Sequence, residues 1–313
     1  MKHFLWQGWG GDLAARDWFL RWVEGWRQAT MARIGSKPAG LPPPGIWYPS
    51  GDIVPPVPGV SWWDPHYNYY GAPGLPGMIF DCFLAAYALG GGEEFLRAFQ
   101  FVTDEGTRGP LPVGELHPPS PEWCQMALAH AVDPSRTALY KLLTGDRTHD
   151  EYTLRHADPA QIYRTNYDLE RYQKSFESAA KSLRTNFELR TTEVLATDRA
   201  ALDSALTVFG AYTGAVQLIR DANTPTFAVT YQTEGTDFAA LVVESTSRRV
   251  RVWLYSFTDA PQKIGLRFWR LEPGIYRILQ GEILPGERPG QNRYAWLPAA
   301  RVSLLRRAEG VDV

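Results

Sequence analysis

The run at residues 78–102, MIFDCFLAAYALGGGEEFLRAFQFV, decides the fold. Its first twelve positions are almost all apolar. After the glycines, Phe95, Leu96, Phe99 and Val102 recur at the spacings of three and four that share one helical face. Gly90-Gly91-Gly92 breaks the periodicity, because consecutive glycines lose too much backbone entropy to continue a helix. Two helices with a short turn between them make an αα-hairpin. A related phrase, KLLTGDRTHDEYTLRH at residues 141–156, again reads helix, glycine turn, helix. Self-similarity of this kind predicts stacked helical hairpins.

Working outward, Phe19, Trp22, Val23 and Trp26 place an amphipathic helix over residues 12–33. Ser120-Pro121-Glu122 is a helix start with proline at the first position and an acid in the first turn. Residues 136–144 read as helix stopped by Gly145-Asp146, and another helix begins at residues 152–156. The longest helix is expected over residues 167–187, with Leu169, Tyr172, Phe176, Ala179, Ala180, Leu183 and Phe187 on one stripe. From Phe227 the period changes to two: Phe227, Val229 and Tyr231; the run 238–243; Val250, Val252 and Leu254; Ile264, Leu266 and Phe268; the runs 275–278 and 302–305. Short strands with turns at residues 258–261 and 272–274 predict an antiparallel β-sandwich. The expected fold class is therefore α+β and multidomain. A helical-hairpin domain spans residues 1–221, carrying a loop at residues 36–75, and a small β-sandwich domain spans residues 222–313.

This order of helical hairpins with a Leu-Thr-Gly-Asp type of turn, followed by VRVWLYSFTDAPQKIGLRFWRLEPG at residues 250–274, resembles the toroid-plus-sandwich polysaccharide lyases of the heparinase II/III and alginate lyase groups. Several α/α-toroid glycoside hydrolases are similar in layout. The resemblance implies an incomplete (α/α)-toroid, because fewer hairpins are countable than the six of a complete ring. It also implies a second chain or a further N-terminal segment that completes the helical domain. In such a protein the sandwich supports the toroid, so Trp253, Phe268 and Trp269 are read as core or interface.

Composition narrows the function classes. A net charge of -2 offers no basic footprint for nucleic acid or an anionic membrane. No window has the apolar length of a membrane span, and no secretory leader stands at the N-terminus. The compartment is extracellular or periplasmic if the chain belongs to a longer secreted protein. Cys82 and Cys124 both fall in apolar helical segments, where a thiol behaves as a small hydrophobe; a disulfide between them stays open. No paired metal-ligand spacing exists, and His149 and His156 are read as decorating a solvated face. No glycine-rich phosphate loop follows a strand, and no Gly-X-Ser-X-Gly elbow occurs. No metal and no cofactor are expected.

The aromatic residues point to the site. Residues 36–77 are punctuated by Pro-Pro-Pro-Gly and Pro-Pro-Val-Pro-Gly, so no regular element runs through them. Yet Trp47, Tyr48, Trp62, Trp63, Tyr67, Tyr69 and Tyr70 all lie there, whereas a disordered linker is poor in aromatics. Rings with a polar tip suit sugars, which offer apolar C–H faces beside hydroxyl edges. A polysaccharide or oligosaccharide is the expected partner, contacted by Trp47, Tyr48, Trp62, Trp63 and Tyr70; the same rings equally suit pinning the loop to the helices. The heptapeptide at residues 64–70 gathers an acid, an imidazole, phenols and an amide. A lyase neutralises a uronate carboxylate, removes the C5 proton and protonates the leaving oxygen, which assigns candidate roles to His66, Tyr67, Asn68 and Tyr69.

A second constellation follows the longest helix: Arg190, Glu193, Asp198 and Arg199. Glu193 and Asp198 suit the acid and base of an inverting hydrolase, with Arg190 and Arg199 as substrate contacts. The alternative is helix capping by Thr197 or Asp198 and pairing of Glu193 with Arg190. His117, in a third loop with Glu115 and Glu122, is the freer imidazole and a substrate-contact candidate. The expected function is a polysaccharide lyase acting by β-elimination. A toroid glycoside hydrolase with paired carboxylates and a non-catalytic glycan-binding domain are the two alternatives.

Overall fold

The computed structural model describes residues 2–47, 49–54, 59, 61–63, 78–110, 112–114, 116–191, 205–217, 226–232, 237–260, 262–283, 294–296, 300–304 and 309–312. Among these residues helices come first and small antiparallel sheets follow, a mixed α+β chain. The helices are α1 (Lys2–Trp9), α2 (Leu13–Met31), α3 (Met78–Ala88), α4 (Glu93–Thr107), α5 (Pro121–Ala131), α6 (Pro134–Thr144), α7 (Asp150–His156), α8 (Pro159–Asn166), α9 (Leu169–Thr191) and α10 (Ala205–Thr213). Local chemistry starts several of them. Ser120, Asp133 and Asp158 each accept a backbone N–H at the N-cap and are followed by proline at the first helical position. Asp12 caps α2 through the Ala15 N–H.

The glycine-turn hairpin is α3 with α4, and α3 is buried on every side. From Ile79 to Ala86 each of its residues is buried, Asp81 included. Helices α2, α4 and α6 surround it. A charge inside such a core needs a partner, and Arg136 of α6 supplies it. Its Nε donates to Asp81 Oδ1 at 2.9 Å while its Nη1 donates to the Ala131 carbonyl at 2.9 Å. Gly91 is required for a steric reason: a Cβ there would meet the Ala86 carbonyl oxygen at 2.8 Å and Leu20 of α2 at 2.9 Å.

The second hairpin phrase becomes α6 and α7. Gly145 ends α6 in the left-handed conformation at φ 76°. Phe99 of α4 stacks on Tyr140 of α6 with ring centroids 5.4 Å apart. The Tyr140 hydroxyl donates to Asp146 Oδ2 at 2.5 Å and accepts from Gln100 Nε2. Bonds from Tyr140 and Thr148 hold the Asp146 carboxyl down at about 2. His156 is exposed, but His149 is not on a solvated face. It lies buried with its ring edge-on to Phe99 and Tyr140. The reading failed because helical period alone does not show that α4 covers this end of α7. The longest helix also starts later than expected. Tyr167 stands outside it as the left-handed C-cap of α8, at φ 58°.

The strands are β1 (Val229–Gln232), β2 (Phe238–Ser245), β3 (Val250–Ser256), β4 (Gly265–Phe268), β5 (Gly274–Ile278), β6 (Gly281–Ile283), β7 (Tyr294–Trp296), β8 (Ala300–Leu304) and β9 (Glu309–Asp312). They form a three-stranded sheet in the order β1-β4-β9 and the pairs β2-β3, β5-β8 and β6-β7. Alternation revealed six of them; β6, β7 and β9, of three or four residues, were not among these. Alternate residues Phe238, Ala240 and Val242 join Val229, Ile264 and Leu266 in one apolar cluster. Helix α10 packs on β1 and β2. The N-terminal helix, which sequence period did not reveal, also reaches the strands. Trp6 lies edge-on to Trp269, and Trp9 Nε1 donates to the Trp269 carbonyl at 2.7 Å. Trp269 Nε1 in turn donates to Thr230 Oγ1, and Phe268 packs on the strand cluster. Cys82 and Cys124 are buried free thiols. No helix among the described residues is long and apolar enough to cross a membrane.

Burial pulls the His149 imidazole below its ordinary value of 6.5, against the opposing carboxylates of Asp104 and Asp146. The unfolded chain therefore takes up the proton first as pH falls. Stability is full above about pH 6.5 and declines below it, through the depressed folded value. The urea midpoint is expected to fall between about pH 7 and about pH 5, and His149→Phe is expected to flatten that fall. Equal slopes for both proteins would show that His149 is not the titrating group.

Candidate functional site

The aromatic loop is built outward from the end of α2. Its carbonyls lose their helical partners there, and Lys37 turns back to take them. The ammonium donates to the carbonyls of Thr30, Ala32 and Pro38 at 2.9, 2.8 and 3.1 Å. A cation at this end also meets the negative pole of the helix. Backbone bonds between Ile34 and Lys37 close a tight turn over Gly35 and Ser36, and Gly40 N–H donates to the Thr30 carbonyl at 3.0 Å. Gly40 has φ 86°, and a Cβ there would meet the Phe101 ring at 2.6 Å, so the loop crosses α4 at the closest possible approach. Lys37 is 1% exposed. Burial pushes its ammonium down to about 8, while the thiol of Cys124 pulls the other way.

The far end of the described loop returns to the same turn. Trp62 Nε1 donates to Ser36 Oγ at 3.0 Å. Its ring lies edge-on to Trp63 at 5.6 Å and to Trp123 of α5 at 6.2 Å. Between these anchors, Trp47 N–H donates to the Asp52 carbonyl at 2.8 Å and accepts Gly51 N–H on its own carbonyl at 2.7 Å. The result is a cleft of about 200 Å³ lined by Pro44, Gly45, Ile46, Trp47, Ile53, Ser61 and Trp62. Two indoles and two isoleucines supply apolar faces, and Ser61 supplies a hydroxyl. The volume lies below the roughly 300–1,000 Å³ of drug-sized sites; it suits one ring of a ligand.

The structure thus brings Trp47 and Trp62 of the expected residues into one concave place. They differ in role. Trp62 is 4% exposed and is foremost an anchor, whereas Trp47 is half-buried and turns its surface to the cleft. Trp63 is half-buried against the helical core, and neither it nor the exposed His117 is among the lining residues. Tyr48, His66, Tyr67, Asn68, Tyr69, Tyr70, Glu193, Asp198 and Arg199 lie outside the described residues. Arg190 stands in the last turn of α9. Sequence reading missed Lys37 and Ser36 as anchors, and Ile46 and Ile53 as lining. The available signal was a lysine just beyond an amphipathic helix, set between serine and proline. Among the described residues no cluster of histidine, cysteine and carboxylates suits a metal ion.

Replacing Lys37 with methionine leaves the acceptors at the end of α2 without their donor. It is expected to destabilise the chain by about 1–3 kcal/mol at neutral pH. Chemical denaturation followed by tryptophan fluorescence checks this; an unchanged midpoint would show that the lysine does not hold the loop.

No protein-family model, no curated protein and no solved structure matches the chain.

Proposed function

We propose that the chain is a carbohydrate-active protein that seats a sugar ring in the cleft between Trp47 and Trp62. The observation that carries this reading is the cleft itself: indole and isoleucine faces with one hydroxyl, on a proline-rich stretch held by Lys37 and by Trp62. Flat apolar walls match the C–H face of a pyranose, and anchoring reduces the entropy lost on binding.

The proposed reaction is β-elimination on a uronate-containing polysaccharide, within a toroid-plus-sandwich layout. His66 and Tyr67 follow Trp63 by three and four positions in the chain, and they carry the residue types for proton removal and leaving-group protonation. Asn68 is proposed to meet the carboxylate. Residues 38–77 contain neither lysine nor arginine, so any cation that assists must come from another element. Hydrolysis with Glu193 and Asp198, and binding without turnover, are the competing outcomes.

Trp62→Ala is a poor test, because losing a buried tryptophan of this kind costs about 3–5 kcal/mol of stability. Trp47→Ala is the informative variant. It is expected to weaken oligosaccharide binding about tenfold or more with little loss of stability, read by fluorescence titration; unchanged affinity would remove the cleft from consideration. Uronate polysaccharides are expected to yield an unsaturated product that absorbs in the ultraviolet, and Tyr67→Phe or His66→Ala to abolish it. Reducing ends without that absorbance assign a hydrolase, and binding without either product assigns a non-catalytic domain.

A further inference from the structure

The seam where α8 meets the β2–β3 hairpin holds a group of buried donors that the described residues satisfy only in part. Arg164 of α8 is 4% exposed. Its Nη1 donates to the Val242 carbonyl of β2, and its guanidinium lies over the Tyr163 ring at 4.7 Å. Its guanidinium also meets the Tyr172 hydroxyl, and among the described residues neither Nε nor Nη2 has a partner in good hydrogen-bond geometry. Arg270, just after β4, is also 4% exposed. It donates to the Thr226 carbonyl and to Ser245 Oγ, and its Nε is unpartnered. Neither guanidinium forms an ion pair with a described carboxylate.

The hairpin presents more of the same. Val243 is an extra residue in β2, where the register passes from Val242↔Val252 to Glu244↔Arg251. The bulge leaves Leu241 and Glu244 opposite Trp253 and Arg251, so these four share one face of the hairpin. Leu241 packs against the cluster of Tyr163 and Tyr172, which identifies that face as the one toward α8 and α9. On it, Trp253 Nε1 is buried with no hydrogen-bond partner among the described residues, and Arg251 Nε, also buried, has only the Glu244 carboxylate at 4.0 Å. Tyr167 stands at the edge, 53% exposed, with its ring edge-on to Tyr163 and its backbone in the left-handed region.

Every unsatisfied atom in this group is a donor, and four of the five belong to guanidinium groups that stay charged. The carboxylate of Glu244 lies at 3.2 Å from Arg249 and 4.0 Å from Arg251, and so leaves Arg164 and Arg270 uncompensated. A ligand that offers only acceptors and carries negative charge complements such a set. We propose that this seam is an oxyanion-binding site, with Arg164 as its buried floor and Arg251, Trp253 and Tyr167 as its rim. It takes a carboxylate, sulfate or phosphate group, and entry is past the exposed Tyr167. The site shares no residue with the aromatic cleft and does not rest on the glycan reading.

The test uses the full chain and compares thermal stability in sodium sulfate, inorganic phosphate, acetate and glucuronate against chloride at equal ionic strength, with affinities from calorimetric titration. At least one oxyanion is expected to raise the melting temperature above the chloride control. Preference for sulfate and phosphate assigns a tetrahedral ligand; preference for acetate or glucuronate assigns a carboxylate. Arg251→Gln and Trp253→Phe, both near the surface, are each expected to weaken that anion about tenfold. Arg164→Met is expected to abolish the response while leaving anion-free stability equal or higher, because an uncompensated buried cation is removed. No oxyanion effect beyond chloride, or an effect unchanged in Arg251→Gln and Trp253→Phe, would overturn the proposal.

Discussion

The fold depends on keeping α3 in the dry. A helix apolar on all sides must be enclosed, and Asp81 would forbid enclosure without the guanidinium of Arg136 at 2.9 Å. The partner comes from α6, far along the chain, so this ion pair also fixes which later helix covers α3. Because breaking a buried pair leaves a charge in low dielectric, at a cost of about 3–5 kcal/mol, the arrangement tolerates little variation. The other helical contacts are then set by shape. Gly91 lets the α3–α4 turn meet Leu20, and Phe99 stacks on Tyr140 to seat α6 against α4.

Attachment of the strands follows from the same enclosure. Helix α1 is too short to be stable alone, and it is held by Leu5 and Trp9 in the helical core and by Trp6 and Trp9 on Trp269. The tryptophan after β4 therefore serves both layers at once: its ring packs between Trp6 and Phe227, and its indole N–H bonds Thr230. The seam beside α8 is different in kind. There the packing is polar and charged, and donors outnumber acceptors in a place that water scarcely reaches. Such a group is costly unless matched, which is why it points to a ligand while the Trp269 contact does not.

The aromatic loop shows how an irregular segment is held around a cleft. Proline and glycine remove regular structure, but they leave backbone carbonyls and a helix end unsatisfied. Lys37 answers the helix end, and Trp62 closes the other side through Ser36. Between these two anchors, Trp47, Ile46 and the buried Ile53 line a concave apolar surface.

By itself the sequence determined the elements whose residues repeat with a period. The helices around Gly90-Gly91-Gly92 and Gly145, the Ser-Pro start of α5 and six strands were legible, because spacing and capping act over a few residues. The aromatic loop stood out as a candidate site through composition alone. Tertiary structure decided everything that depends on what faces what. It buried His149 at the start of α7 while leaving His156 at its end exposed, and made Trp62 an anchor and Trp47 a lining residue within one loop. It also matched Asp81 to Arg136 while leaving Arg164 and Arg270 without a carboxylate partner among the described residues. Burial and pairing are properties of neighbours distant in the chain, and a local pattern carries no record of them.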